Sequence, residues 1–331
     1  MRYIIIGAGA VGGTIGGLLF EGGHQVVLVA RGPHLDALRA DGLRLATPDG
    51  VSTLPVPAVG EPGELELREG DVLVLAVKTQ DAEAVLAQWA WRPVRGGTAA
   101  AQALPVVCAQ NGVASERMAL RRYRQVYGMC VWLPATHLKP GEVQAQGSPL
   151  AGMLQIGRYP AGTDATVARI GADLADSRFL APVTADVMRW KYGKLLANLA
   201  NAIEAVCGPD AGDGAAELRR RAAAEGTAVL DAAGIAHAGE QESAEVRGDL
   251  VRIRPVNGLR RGGGSSWQSL TRSTGSIEAD YLSGEIVLLG REHGVPTPVN
   301  ELLQRLANQA AQERTAPGAT TPAEILALLA A

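Results

Sequence analysis

Over the first half of the chain, short apolar runs alternate with Gly-punctuated or Ala-rich stretches of helical period. Tyr3–Ile6, Gln25–Val29, Val72–Val77 and Val106–Ala109 are apolar at successive positions rather than at every second one. Strands that are apolar on both faces are covered on both faces, so the pattern predicts a parallel sheet with helices on either side. Residues 125–159 continue as strands separated by polar turns at Lys139-Pro-Gly and Gln146-Gly-Ser-Pro. From Thr184 onward the strand signal stops, and long Ala/Leu/Glu/Arg segments of helical period follow one another. The expected organisation is α/β: a doubly wound domain over residues 1–182, then an all-α domain over 183–331. The run RRGGGSS at 260–266 lies inside the helical half and reads either as a flexible linker or as a mobile loop beside a site.

Composition narrows the ligand. The chain has 331 residues, 47% hydrophobic and 20% charged, with Lys+Arg 31 against Asp+Glu 34 for a net charge of −3. That length and balance suit two domains with real cores. With no block of like charge, neither nucleic acid nor a membrane surface is an expected partner, which leaves a small soluble molecule. Cys108, Cys130 and Cys207 have no CxxC spacing and sit in apolar runs, so they read as buried hydrophobes in a reducing cytoplasm, not as disulfides or metal ligands. The chain begins directly on a strand, and its apolar runs are far shorter than a bilayer span; neither export nor membrane insertion is expected. Of the 31 basic residues only four are lysines, Lys78, Lys139, Lys191 and Lys194, leaving 27 arginines. A lysine that persists in so arginine-rich a chain invites a chemical reason.

Gly7-Ala8-Gly9-Ala10-Val11-Gly12 follows the first strand at once and opens a helix running to about Phe20, with a second strand at Gln25–Val29. Strand, G-x-G-x-x-G, helix and strand together predict a Rossmann-type dinucleotide site. The glycines allow a tight turn, close approach to a pyrophosphate and close helix–strand packing, and the helix N-terminus supplies N–H groups. A site preferring NAD would place an acid at the end of the second strand. Here there is Ala30-Arg31 and no acid from Gln25 through His34, so a guanidinium is expected to clamp a 2′-phosphate and NADPH is the expected form. Lys78 with Gln80, and Asn111 in Asn111-Gly112, follow the next two strands at the carboxyl edge of the sheet, where ligands of open α/β sheets bind. Asn-Gly is equally a plain turn signal.

In the second half, Arg189 to Glu204 is helical in pattern, and steps of four and seven put Asn198 and Asn201 within about 40° of the azimuth of Lys194. One amine and two amides on an apolar helix either face solvent or wall a polar pocket, and the surrounding Leu and Ala favour the pocket. Further on stand Ser265-Ser266, then Glu278-Ala-Asp280 with Gly284, then Gly294-Val-Pro-Thr-Pro298-Val-Asn300. Taken in order with the glycine turn, the strand-end arginine, the Val77-Lys78 segment, Asn111-Gly112 and the K-x3-N helix, this set resembles the ketopantoate reductase family (2-dehydropantoate 2-reductases) from about Met1 to Asn300.

The resemblance implies an NADP-dependent oxidoreductase that converts a 2-oxo acid to a 2-hydroxy acid, 2-dehydropantoate to pantoate on the route to pantothenate and coenzyme A. It implies Lys194 as general acid, Glu278 as the group binding the substrate hydroxyl end, and Asn198, Asn201, Ser266 and Asn111 as substrate contacts, with Asn111 also at the nicotinamide. The helical domain is then the substrate-binding domain and a candidate dimerisation surface. Chemistry agrees: reduction of a 2-oxo carbon builds an alkoxide, which an ammonium neutralises and protonates. Three departures stand out. The second amide is at Asn201, with Ala at 202. The glutamine after Lys78 comes one residue early, at Gln80. Leu270 and Gly275 replace an acid and an arginine that many relatives carry. A reductase of the same family acting on another 2-oxo acid, and a non-catalytic NADPH sensor, are the alternatives to be tested.

Overall fold

The computed structural model of the chain describes residues 1–209, 211–259 and 261–330. Strands β1 (Arg2–Ile6) and β2 (Gln25–Val29) flank helix α1 (Ala10–Glu21), and α2 (Gly32–Asp41) follows. The hairpin β3 (Leu43–Thr47) and β4 (Gly50–Leu54) and the short β5 (Ala58–Val59) precede β6 (Asp71–Leu75), α3 (Thr79–Ala90) and α4 (Ala100–Ala103). Then come β7 (Pro105–Cys108), α5 (Ser115–Leu120), β8 (Gln125–Trp132), β9 (Ala135–Thr136), β10 (Glu142–Ala145), β11 (Gly147–Pro149) and β12 (Gly152–Arg158). Helix α6 (Ala165–Asp176) and β13 (Phe179–Leu180) end this run.

Eight strands form one sheet in the order β13-β12-β8-β7-β6-β1-β2-β5. Every pair in it is parallel except β8 with β12, which is antiparallel. The predicted two-sided burial is what β1 and β6 exhibit. Tyr3, Ile5, Val72 and Val74 belong to the core on one face, while Ile4, Ile6, Leu73 and Leu75 belong to the core on the other. The strand order changes direction at β1, with β2 on one side and β6 on the other, so the loops leaving the carboxyl ends of β1 and β6 open the crevice typical of doubly wound sheets.

The helical part comprises α7 (Val187–Asn198), α8 (Ala200–Cys207), α9 (Asp213–Ala232), α10 (Glu240–Arg247), α11 (Ser265–Thr271), α12 (Ser283–His293), α13 (Pro298–Gln312) and α14 (Pro322–Leu328), with strand β14 (Val251–Ile253) between α10 and α11. The chain separates into two compact units: Met1–Trp190 with Ser243–Arg261, and Lys191–Glu242 with Gly262–Ala331. The boundary expected at 182 to 183 therefore falls at 190 to 191, inside α7. The excursion 243–261 belongs to the first unit because β14 pairs antiparallel with β11, so the expected Gln146-Gly-Ser-Pro turn is mostly strand. Leu150 N–H donates to Leu250 O, Arg254 N–H donates to Gln146 O, and Arg247 stacks 4.2 Å over the Trp132 ring. A strand of three residues carries no readable alternation, and its partner lies about a hundred residues upstream. No helix among the described residues is long and apolar enough to cross a membrane. Cys108, Cys130 and Cys207 form no disulfide, and burial, then the nearby Glu324, push the Cys207 thiol up to about 11.

Within the helical unit, the motif Gly294-Val-Pro-Thr-Pro298-Val-Asn300 turns out to be architectural. Gly294 ends α12 in the left-handed conformation (φ 70°), and Pro298 opens α13. Glu225 of α9 then accepts the N–H groups of Val299 and Asn300 at 2.9 and 3.0 Å and the Asn300 Nδ2 at 2.8 Å, and Asn300 Nδ2 also donates to Ala222 O at 3.1 Å. A carboxylate 75 residues away supplies the cap that the α13 sequence lacks. Hydrogen bonds to a charged group are worth about 1.5–3 kcal/mol each in favourable settings. Glu225→Ala is therefore expected to lower the unfolding free energy by about 2–3 kcal/mol in urea titrations, with Glu225→Gln losing less. Equal midpoints for Glu225→Ala and the parent chain would show that this cap contributes nothing.

Candidate functional site

At the carboxyl end of β1 the chain turns through Gly7, whose φ of 104° suits a residue without a side chain. The N–H groups of Gly7 and Ala8 both donate to Val29 O, at 3.1 and 3.0 Å, tying the turn to the end of β2. Space around the glycines divides their roles. A Cβ on Gly7 would stand 2.8 Å from Val77 N, and one on Gly12 only 2.1 Å from Gly7 O, whereas one on Gly9 would meet nothing within 4 Å. Gly12 thus lets α1 close on β1, while Gly9 leaves the approach to the turn open. Helix α1 begins at Ala10 with Gly9 as its N-cap, with no side-chain cap and no acid in its first turn. The backbone N–H groups from Gly9 through Gly12 are accordingly available to an anion, and this cradle fits a dinucleotide pyrophosphate.

His34 supports the same turn and was not foreseen. Gly141 N–H donates to its Nδ1 at 2.9 Å, so the ring proton is on Nε2, which donates to Ala8 O at 2.8 Å. Arg31 caps α2 in extended conformation and is exposed, just beyond the end of β2. Lys78 caps α3, and Thr79 Oγ1 donates to Asn111 O at 3.3 Å, joining the loop after β6 to the loop after β7. Asn111 is half-buried and precedes Gly112, at φ 77°, so the turn expected of Asn-Gly is present at the same place. Gln80 lies in the first turn of α3, with Oε1 shut off from solvent and no partner among the described residues.

The other predicted residues lie in the helical unit. Lys194 is half-buried, and its Nζ donates to Asn198 Oδ1 at 3.0 Å one turn later on α7. Asn198, Ser266 and Glu278 are buried, Ser266 on α11 and Glu278 at the start of the 3-10 turn Glu278–Tyr281. The helical run from Lys194 to Asn201 is divided at Leu199, which keeps helical dihedrals (φ −60°, ψ −26°). Leu199 N–H reaches Leu196 O in a tighter turn, α7 ends at Asn198, and Asn201 belongs to α8. There its Oδ1 lies 3.5 Å from where a Gly264 Cβ would stand, immediately before the serine pair. Leu270 is buried in α11, and Gly275 takes φ 76°, so both departures from the expected acid and arginine have local structural reasons.

The run RRGGGSS crosses from the first unit, which ends at Arg261, to the second, which resumes at Gly262; Arg260 lies outside the described residues. Gly262 and Gly263 lie directly on the Trp267 indole, where added Cβ atoms would stand 2.7 Å from Cη2 and 2.5 Å from Cγ. Lys191, buried at 3% exposure on α7, is a further residue to which sequence reasoning gave no role; lysine scarcity was the only signal pointing at it.

Two family models cover most of the chain: "Ketopantoate reductase PanE/ApbA" over residues 3–161 and "Ketopantoate reductase PanE/ApbA C terminal" over residues 186–311. A 2-dehydropantoate 2-reductase of Halobacterium salinarum is 28% identical over 323 residues, covering 95% of this chain and all of that protein. Among solved structures, a PanE/ApbA family ketopantoate reductase from Ralstonia eutropha superposes with a TM-score of 0.75 at 27% identity, covering 95% of this chain and 99% of that one. D-mandelate dehydrogenase, solved with NADH and anilino(oxo)acetate, shares the fold with a TM-score of 0.78 at 21% identity over 95% and 99% of the two chains.

The second and third glycines of the turn separate packing from access. Gly12→Ala is expected to lower the thermal unfolding midpoint by several degrees, since its Cβ collides with backbone, while Gly9→Ala costs about 1 kcal/mol or less. Calorimetry of both variants checks this, and similar losses would contradict the assignment of open space at Gly9.

Proposed function

The chain belongs to the ketopantoate reductase family, and on that premise we propose that it reduces a 2-oxo acid to the 2-hydroxy acid with NADPH, 2-dehydropantoate being the substrate and pantoate the product. The observation that carries this reading is the Lys194 ammonium, one of four lysines in the chain, aimed by Asn198 Oδ1 at 3.0 Å.

When bound, the reduced nicotinamide supplies the two electrons and hydrogen that the 2-oxo carbon takes up. The chain's own residues do the rest. Gly9 to Gly12 and the N-terminus of α1 hold the pyrophosphate through backbone N–H groups. Arg31 pairs with a 2′-phosphate; the absence of any acid from Gln25 to His34 supports NADPH over NADH. Lys78, Gln80 and Asn111 follow β6 and β7 at the carboxyl edge of the sheet and would contact the cofactor there, Asn111 at its nicotinamide end. Lys194 supplies the proton. One of its N–H bonds is spent on Asn198, and another donates to the 2-oxo oxygen, stabilising the growing alkoxide and then protonating it. Glu278, buried, accepts a hydrogen bond from the substrate hydroxyl, and Asn198, Asn201 and Ser266 orient the carboxylate and carbonyl.

A sensor that binds NADPH without turnover needs the glycine turn and Arg31, but neither a buried carboxylate nor an aimed amine. A same-family reductase with another 2-oxo acid keeps all these groups; Leu270 and Gly275 are the observation in its favour. Cytoplasmic residence, supported by three cysteines outside any disulfide, and a homodimer through the helical unit, supported by the exposed Leu288 and Leu328, complete the proposal.

NADPH oxidation over a panel of 2-oxo acids tests the reading, 2-dehydropantoate being expected to give the highest kcat/KM; activity on no member favours the sensor. Lys194→Ala is expected to lower kcat by about two to four decades with NADPH affinity little changed; parent-like turnover removes Lys194 as the acid. Arg31→Ala is expected to weaken NADPH about tenfold, seen in fluorescence titrations, while NADH changes by less than about twofold. Equal losses for the two cofactors would refute the 2′-phosphate contact.

A further inference from the structure

Helix α11 carries Ser266, and its N-cap, Gly264, has no side chain with which to cap it. Support comes from another helix. Glu204 of α8 accepts the Gly264 N–H through Oε2 at 2.9 Å, across 60 residues of sequence. A Cβ on Gly264 would stand 2.6 Å from that oxygen and 3.5 Å from Oδ1 of Asn201, so carboxylate, amide and the start of the serine helix meet at one point. Just upstream, Gly262 and Gly263 rest on the face of Trp267 with no room for a side chain. The strap 262–264 is therefore held along its length by Trp267 and at its end by Glu204. The first turn then closes with Gln268 N–H to Gly264 O at 3.0 Å and Ser269 Oγ to Ser265 O at 3.1 Å.

We infer that Glu204 is a positioning residue for substrate binding: by holding Gly264 it fixes where α11 begins, and so sets Ser266 against Asn201. The inference rests on the reading of Ser266 and Asn201 as substrate contacts. Glu204 acts through the backbone, and what it needs is an acceptor oxygen directed at one N–H. Three consequences separate this role from general support of the fold. The effect belongs on the 2-oxo acid and not on the dinucleotide, it belongs on KM more than on kcat, and an amide in place of the carboxylate restores it, because Gln Oε1 also accepts.

The test compares Glu204→Ala, Glu204→Gln and Gly264→Ala in the full chain. Glu204→Ala is expected to raise KM for the preferred 2-oxo acid about tenfold, the loss of one hydrogen bond to a charged group, with kcat within about threefold and the NADPH Kd unchanged. Glu204→Gln is expected to stay within about threefold of the parent in all three. Gly264→Ala, which drives a methyl into Oε2, should raise KM as Glu204→Ala does, and the double variant should be no worse than the more impaired single one; this pair carries the test if Glu204→Ala fails to fold. Hydrogen exchange over residues 262–271 reads the same claim without activity. Glu204→Ala should speed exchange there about tenfold, and Glu204→Gln should not. An unchanged KM, or KM and NADPH Kd rising together, overturns the inference. If no 2-oxo acid is turned over by the parent chain, the proposed function fails, and exchange alone then decides: unchanged exchange in Glu204→Ala refutes the anchoring.

Discussion

The contact on which the ligand side of the first unit depends is that between β1 and α1. Gly12 brings the helix so near the strand that a single methyl would overlap Gly7 O, and the turn between them is pinned twice to Val29 O. Because β1 is an inner strand of the sheet with both faces buried, the turn cannot shift without moving a core on either side. His34 adds a second constraint through Ala8 O, reaching from α2 while itself held by Gly141. An open cradle of N–H groups thus stands on a turn fixed by packing and by hydrogen bonds on both sides. That is the economical place for it, since backbone donors fixed in advance lose little entropy when an anion arrives.

The helical unit solves its positioning problem with side chains. Helices α11 and α13 both start without a local side-chain cap, and both are capped by a glutamate from another helix: Glu204 for the former, Glu225 for the latter. Each carboxylate satisfies N–H groups that burial would otherwise leave unpaired, and each binds together helices distant in sequence. Short helices held in this way are fixed by a few charged hydrogen bonds as well as by apolar packing.

These two devices explain what could be read from the sequence. The parallel sheet, the glycine turn, the strand-end arginine and the shift to helices are all local patterns, recorded in consecutive residues and their period. The break at Leu199 was hidden, because Leu-Ala-Asn-Leu-Ala is apolar and favourable to helix on either side of it, and the tighter turn depends on tertiary packing rather than propensity. Strand β14 was hidden by its brevity. Glu204, Glu225 and His34 were hidden for a different reason: each acts on backbone 60, 75 and 26 residues away, and no spacing rule links a side chain to a distant N–H or carbonyl. The triple glycine was legible as glycine but not as packing, because the indole it lies on explains it only in three dimensions.

Lysine scarcity acquires a physical meaning from the same comparison. Surface ion pairs here use arginine, as in Arg95 with Glu66 and Arg220 with Glu217, where a fixed charge and a forked donor suffice. At Lys194 the amine donates to Asn198 from a half-buried position, and in the proposed reduction a guanidinium there would hold its proton where the alkoxide needs one. The two units then differ in how freely they change. The cofactor cradle is backbone, so substitutions at Gly7 or Gly12 act on the fold before they act on the ligand. On the proposed function, the substrate contacts are side chains on helices held by separate caps, so Asn201, Leu270 and Gly275 can depart from the family pattern while α8 and α11 keep their places. On that proposal, cofactor class is the more constrained property of this chain, and the choice among 2-oxo acids falls to the few side chains that Glu204 and Asn198 hold in register.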